Sequence, residues 1–183
     1  QSYGQPVKIV WRPDQVVRTT VIGSWRIRTL TVCPPGRPGC LVRIEVTNLS
    51  GSSATLDLGL WLSSAVTCQA GPWLRPESPR APNSLRAEGP LRWGTPQDGS
   101  AVCLQTLLDA DGHLVDGGSS VVSMIQVHAE VESGQSWLGW YVQLIGESEP
   151  VLRNDLAEIA AAPDQAVREG TARWNHELRA MFT

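Results

Sequence analysis

The chain has 183 residues, a formal net charge of −3 and 42% hydrophobic residues, enough for one large sandwich or a sandwich with a helical appendage. Its 15 basic residues form no basic field and its eight Trp are not interleaved with Lys/Arg clusters, which argues against nucleic acid as a partner. No apolar run approaches the roughly 20 residues that a membrane-spanning helix needs, and no charged-then-apolar signal segment opens the chain, so no membrane partner is expected.

From Pro6 to about Gly146 the chain reads as strand after strand: 7–11, 16–22, 25–32, 41–47, 54–62, 85–93, 101–109, 120–132 and 136–145, each bounded by Gly, Pro, Asn or Asp. The clearest pattern is the pair 41–47 and 54–62, in which Val42, Ile44 and Val46 alternate with Arg43, Glu45 and Thr47, and Leu56, Leu58, Leu60 and Leu62 repeat the alternation. With the polar turn 48–53 between them, these two runs predict a β-hairpin. Tight turns at 110–112 and 132–135 predict antiparallel meanders in two layers, and the Pro-rich interval 68–84 predicts an irregular excursion. After Pro150, Leu152, Leu156 and Ile159 predict a helix over 151–161, and Pro163 starts a second with Val167, Thr171, Trp174, Leu178 and Met181 or Phe182 on one stripe. Thr183 follows Phe182 with no Gly or Pro stop signal, so more protein is expected beyond it.

The expectation is a mainly β protein, an antiparallel two-layer β-sandwich followed by C-terminal linker helices, divided as 1–147 and 148–183.

Cys33, Cys40, Cys68 and Cys103 lack Cys-x-x-Cys spacing, which argues against zinc. Cys33 and Cys40 bracket a Pro/Gly loop, and the expected bridges are Cys33 with Cys40 and Cys68 with Cys103, worth about 2.5 and about 3.8 kcal/mol by loop closure. Such bridges lean towards a secreted or periplasmic location; four buried thiols in a cytoplasmic protein are the alternative.

Candidate chemistry is sparse. His113, His128 and His176 are far apart and no triad spacing accompanies them. Glu130 and Glu132 share one strand face at about 7 Å, which fits a solvated face better than a catalytic pair. Asp109, Asp111 and Asp116 offer enough oxygens for calcium, but they miss the EF-hand spacing and read as a polar turn; no other cofactor is expected. Trp61, which opposes the leucine face of its strand, and Trp73, in the Pro-rich loop, are the candidates for touching a sugar ring.

Three features together carry a resemblance: the Val-Thr-Asn-Leu-Ser-Gly turn at 46–51, the strand Ser-Trp-Leu-Gly-Trp-Tyr-Val-Gln-Leu at 136–144, and terminal helices containing Ala-Arg-Trp-Asn-His-Glu-Leu at 172–178. The chain resembles the N-terminal supersandwich and helical linker of glycoside hydrolases with an (α/α)6 barrel, family 63 and its relatives of families 15, 37 and 65. The resemblance implies that an inverting acid and base lie in a barrel outside this chain, that the barrel is its partner within the same polypeptide or as a cleaved companion chain, and that carbohydrate is the ligand. A free-standing extracellular carbohydrate-binding or adhesion module is the alternative.

Overall fold

The computed structural model describes residues 5–62, 64, 83–96, 99, 101–117 and 121–181. The elements run β1 (Lys8–Arg12), β2 (Gln15–Ile22), β3 (Trp25–Val32), β4 (Gly39–Asn48), β5 (Ala54–Trp61), β6 (Ser84–Glu88), β7 (Leu91–Thr95), β8 (Val102–Asp109), β9 (Met124–Val131), β10 (Ser136–Gly146), α1 (Glu149–Ala161) and α2 (Pro163–Met181). Eight strands form one antiparallel sheet in the order β1-β2-β3-β4-β10-β8-β7-β6, and β5 pairs with β9 in a second. The mainly β sandwich with terminal helices is therefore the observed architecture.

Strand pairing differs from the sequence reading in three places. β4 and β5 do not form a hairpin: β4 pairs with β3 and β10, while β5 pairs with β9. Their apolar faces meet instead across the sandwich, where Ile44, Val46 and Leu56 share one core, so residues 48–53 make a corner between layers. Asn48 holds that corner, its amide donating to the carbonyls of Ser52 and Val131, both at 2.8 Å, and its Oδ1 accepting from the Ser50 amide and hydroxyl. The turn 132–135 is a second corner, from β9 to β10, in place of a meander link. Finally, 85–93 is two strands, because Gly89, at φ +55, and Pro90 reverse the chain between β6 and β7.

The middle strands of the large sheet are buried on both faces. On one side Leu41, Trp93, Leu104, Leu108, Trp140, Val142 and Leu144 pack under Leu152, Leu156 and Ile159 of α1, the stripe the sequence predicts. Arg37 fastens this helix by pairing with Asp155 at 3.2 Å and with Glu158, and Arg86 bonds Glu149 at 2.6 Å. On the other side Ile44, Val46 and Leu107 meet Leu56, Ile125, Val127 and Val131 of the small sheet. The second helix rests on small residues, Pro163, Ala166 and Gly170, while Trp174 is 36% and Met181 69% exposed. The expected stripe thus reaches the core only at Val167; Phe182 lies outside the described residues.

Candidate functional site

Alternation along β8 and β10 turns Gln105, Tyr141 and Gln143 towards the same side as Leu107, the side that the small sheet covers. The register sets Gln143 opposite Cys40 on one neighbour and Gln105 on the other. Beside β5 the described residues leave an open pocket of about 640 Å³ above these side chains. Val42 and Ile44 of β4, Gly59, Leu60 and Trp61 of β5 with Leu62 just past it, and Gln105, Tyr141, Gln143 and Ile145 line it. That volume lies within the roughly 300 to 1,000 Å³ of small-molecule sites. Trp61 stands at the rim, 74% exposed.

The polar groups in the pocket are fixed in place. The Tyr141 hydroxyl donates to Gln105 Oε1 at 2.7 Å. Gln143 lies between two thiols, its Oε1 accepting from Cys40 Sγ and its Nε2 donating to Cys103 Sγ, each at 3.8 Å. Burial pushes the Cys40 thiol and the Tyr141 phenol upwards, and nearby thiols add to both shifts. Burial also raises Cys103, against the pull of hydrogen bonds from Ser64, Gln143 and Gln105. All three groups stay protonated and neutral near pH 7, and the described lining holds no Asp, Glu, His, Lys or Arg. Such a wall suits a neutral ligand with an apolar face and hydroxyl groups.

Of the two tryptophans singled out by sequence, Trp61 therefore borders a pocket, and Trp73 lies outside the described residues. Cys33, Cys40 and Cys103 are free thiols, where the sequence reading expects bridges; Cys68 lies outside the described residues. Cys40 is turned towards Gln143, and Cys33 is exposed, one step past the terminal Val32↔Leu41 pair. Asp109 Oδ1 accepts the amides of Asp111 and His113, both at 2.9 Å, and Asp116 is not among the clustered oxygens. The polar turn accounts for that geometry: burial works against the Asp109 carboxylate, but the two amides together with the His113 ring outweigh it and hold its pKa below the usual range. Glu130 accepts hydroxyl hydrogen bonds from Thr55 and Ser53 on an exposed face. His113 lies 3.4 Å from Asp109 and His128 3.5 Å from Asp57, while His176 is exposed on α2, so the three histidines stand at separate places. Sequence reasoning missed Gln105, Tyr141 and Gln143 as site residues. The available signal was neutral polar side chains recurring at inward positions of strands that are otherwise apolar.

No family model matches the chain, and no curated protein matches it. Among solved structures it is similar to a protein described as "Putative kojibiose phosphorylase from human microbiome", with a TM-score of 0.53 and 11% identity over 88% of this chain. At that identity the likeness is one of fold, and the chain spans 23% of the length of that protein.

Proposed function

We propose that this chain is the non-catalytic sandwich and linker of a carbohydrate-cleaving enzyme, a glycoside hydrolase or phosphorylase acting on α-glucosides or related oligosaccharides. The observation that carries this reading is the fold likeness to a phosphorylase that is about four times longer than the matched part. In this reading residues 148–183 lead into a helical barrel of the same polypeptide or a companion chain, and the barrel holds the acid and base. The described residues of this chain offer no such pair facing one cleft, since Glu130 and Glu132 are exposed on the rim of the small sheet. The pocket beside Trp61 takes a neutral saccharide, with the indole against a ring face and the glutamine amides towards hydroxyls. The exposure of Trp61 also favours a second reading, a free-standing carbohydrate-binding module. Export to an oxidising compartment belongs to the same proposal.

Assays with kojibiose plus phosphate and with aryl α-glucosides separate these readings from catalysis. The purified chain is expected to turn over neither substrate, and joining it to a downstream helical domain is expected to produce turnover. Turnover by the chain alone contradicts the non-catalytic reading. Saccharide binding by the chain with no gain from any helical domain favours the free module.

A further inference from the structure

The large sheet gathers basic residues that the sequence leaves scattered. Register puts Lys8 and Arg12 of β1, Arg26 and Arg28 of β3 and Arg43 of β4 on one face, the face on which Leu30 and Leu41 pack beneath the helices. Arg18 alternates to the other face, in line with Thr29 and with Ile44 of the pocket wall. The helices cover the middle of the sheet and leave its β1 end open, where Lys8, Val10, Arg12, Val21 and Arg26 are exposed. Ordinary strand geometry spaces these cations at about 7 to 10 Å, since Arg26 and Arg28 are two residues apart and Lys8 lies two strands from Arg28. Two carboxylates answer the five cations: Asp14 pairs with Arg12 at 3.1 Å, and Glu45 with Arg28 at 3.7 Å. Arg26 bonds the Thr47 hydroxyl at 3.2 Å, and Arg43 lies 5.9 Å from the Trp140 ring centre with its Nε unpartnered. Charges more than about 8 Å away are largely screened at physiological salt, so this local surplus of cations prevails there over the net −3 of the chain.

We propose that this basic face docks an anionic polysaccharide, a sugar chain bearing uronate carboxylates or sulfate esters. The surplus of cations selects an anion, and guanidinium groups with free donors suit carboxylate and sulfate oxygens. The choice of a sugar chain rests on the carbohydrate-enzyme reading above and on two features of the face. Its exposed apolar side chains are Val10 and Val21, with no exposed aromatic ring among the described residues of the sheet face, so single-stranded nucleic acid finds no stacking platform and a protein partner no aromatic anchor. Beside it α1 rises about one helix diameter, about 10 Å, above the sheet, so a flat bilayer meets the helix before it meets the cations, whereas a polymer chain lies along the foot of the helix. The pocket beside Trp61 opens on the opposite face of the sheet, so the two sites fill independently.

Calorimetric titration of the protein with polygalacturonate, with dextran sulfate and with uncharged dextran tests this. Binding to a charged polymer and none to uncharged dextran is expected, weakening about tenfold or more between about 0.05 and about 0.5 M salt. Tighter binding of polygalacturonate assigns the carboxylate as the anion, and tighter binding of dextran sulfate assigns the sulfate ester. Lys8→Glu and Arg28→Glu are each expected to weaken binding about tenfold, whereas Arg18→Glu, the same change in net charge on the opposite face, is expected to alter it less than about twofold. Circular dichroism of each variant confirms that it is folded. No binding of either charged polymer at about 0.05 M salt, or an equal loss with Arg18→Glu, overturns the proposal. Tighter binding of single-stranded DNA or of phosphatidylserine vesicles overturns it in favour of those partners. Titration of the same proteins with kojibiose separates the two readings: kojibiose bound without the polymers strikes this proposal alone, and the polymers bound without kojibiose strike the pocket reading alone.

Discussion

Asn48 shows how much of the sandwich depends on one side chain. It is fully buried, and four hydrogen bonds, two donated by its side-chain amide and two accepted from Ser50, join the end of β4, the corner 50–52 and the end of β9. Asn48→Ala strands those groups and is expected to cost about 2 to 4 kcal/mol in urea unfolding. Asn48→Asp is expected to destabilise as well, since a carboxylate has no hydrogen to give the Ser52 and Val131 carbonyls. The pocket thiols give a pH prediction. Cys40 and Cys103 are raised above the ordinary 9.0 mainly by burial, so their contribution to stability is complete below that pH and is lost as pH rises through the folded values. A Cys40→Ala, Cys103→Ala double variant is therefore expected to show a shallower alkaline loss of urea midpoint than the parent. At this scale the sequence was legible where a residue repeats a period, as in the leucines of β5, and illegible where meaning depends on a cross-strand neighbour. Gln143 becomes a site residue only because the register sets it between Cys40 and Gln105.

Strands and helices were largely readable, and their partners were not. Period-two alternation tells which side of a strand is apolar, but it does not tell whether that side meets its neighbour edge to edge or face to face, and β4 and β5 chose the second. The helix α1 was legible because Leu152, Leu156 and Ile159 are large and spaced for one face, all three buried. For α2 the large residues misled: the buried face is Pro163, Ala166 and Gly170, where small side chains permit close approach to the loop after β3. A methyl group at Gly170 would meet the Cys33 carbonyl oxygen at 3.5 Å, an ordinary contact. Gly170→Ala is accordingly expected to stabilise by about 0.5 to 1 kcal/mol through the gain in helix propensity. Gly112→Ala is expected to act in the opposite direction. Gly112 has φ +88, and a methyl group there would overlap the Ala160 carbonyl at the end of α1, so thermal unfolding should show a loss of at least about 1 kcal/mol.

At the scale of the whole molecule, one broad sheet carries helices on one face and, among the described residues, a two-stranded cover on the other, with the pocket beside that cover. Composition made the fold class readable, since a chain of short alternating strands with few charges has little alternative to a sandwich. Function was less readable, because the sequence holds no diagnostic spacing of nucleophile, acid or metal ligand. The central claim is that the domain serves a carbohydrate-active enzyme and meets neutral sugar in the pocket beside Trp61. Calorimetric titration of the protein with kojibiose and maltose tests it most directly. The account predicts saturable binding that Trp61→Ala weakens about tenfold or more while the unfolding midpoint hardly moves, because the ring is mostly in solvent. No heat of binding up to about 10 mM saccharide, or binding unchanged by Trp61→Ala, would contradict it.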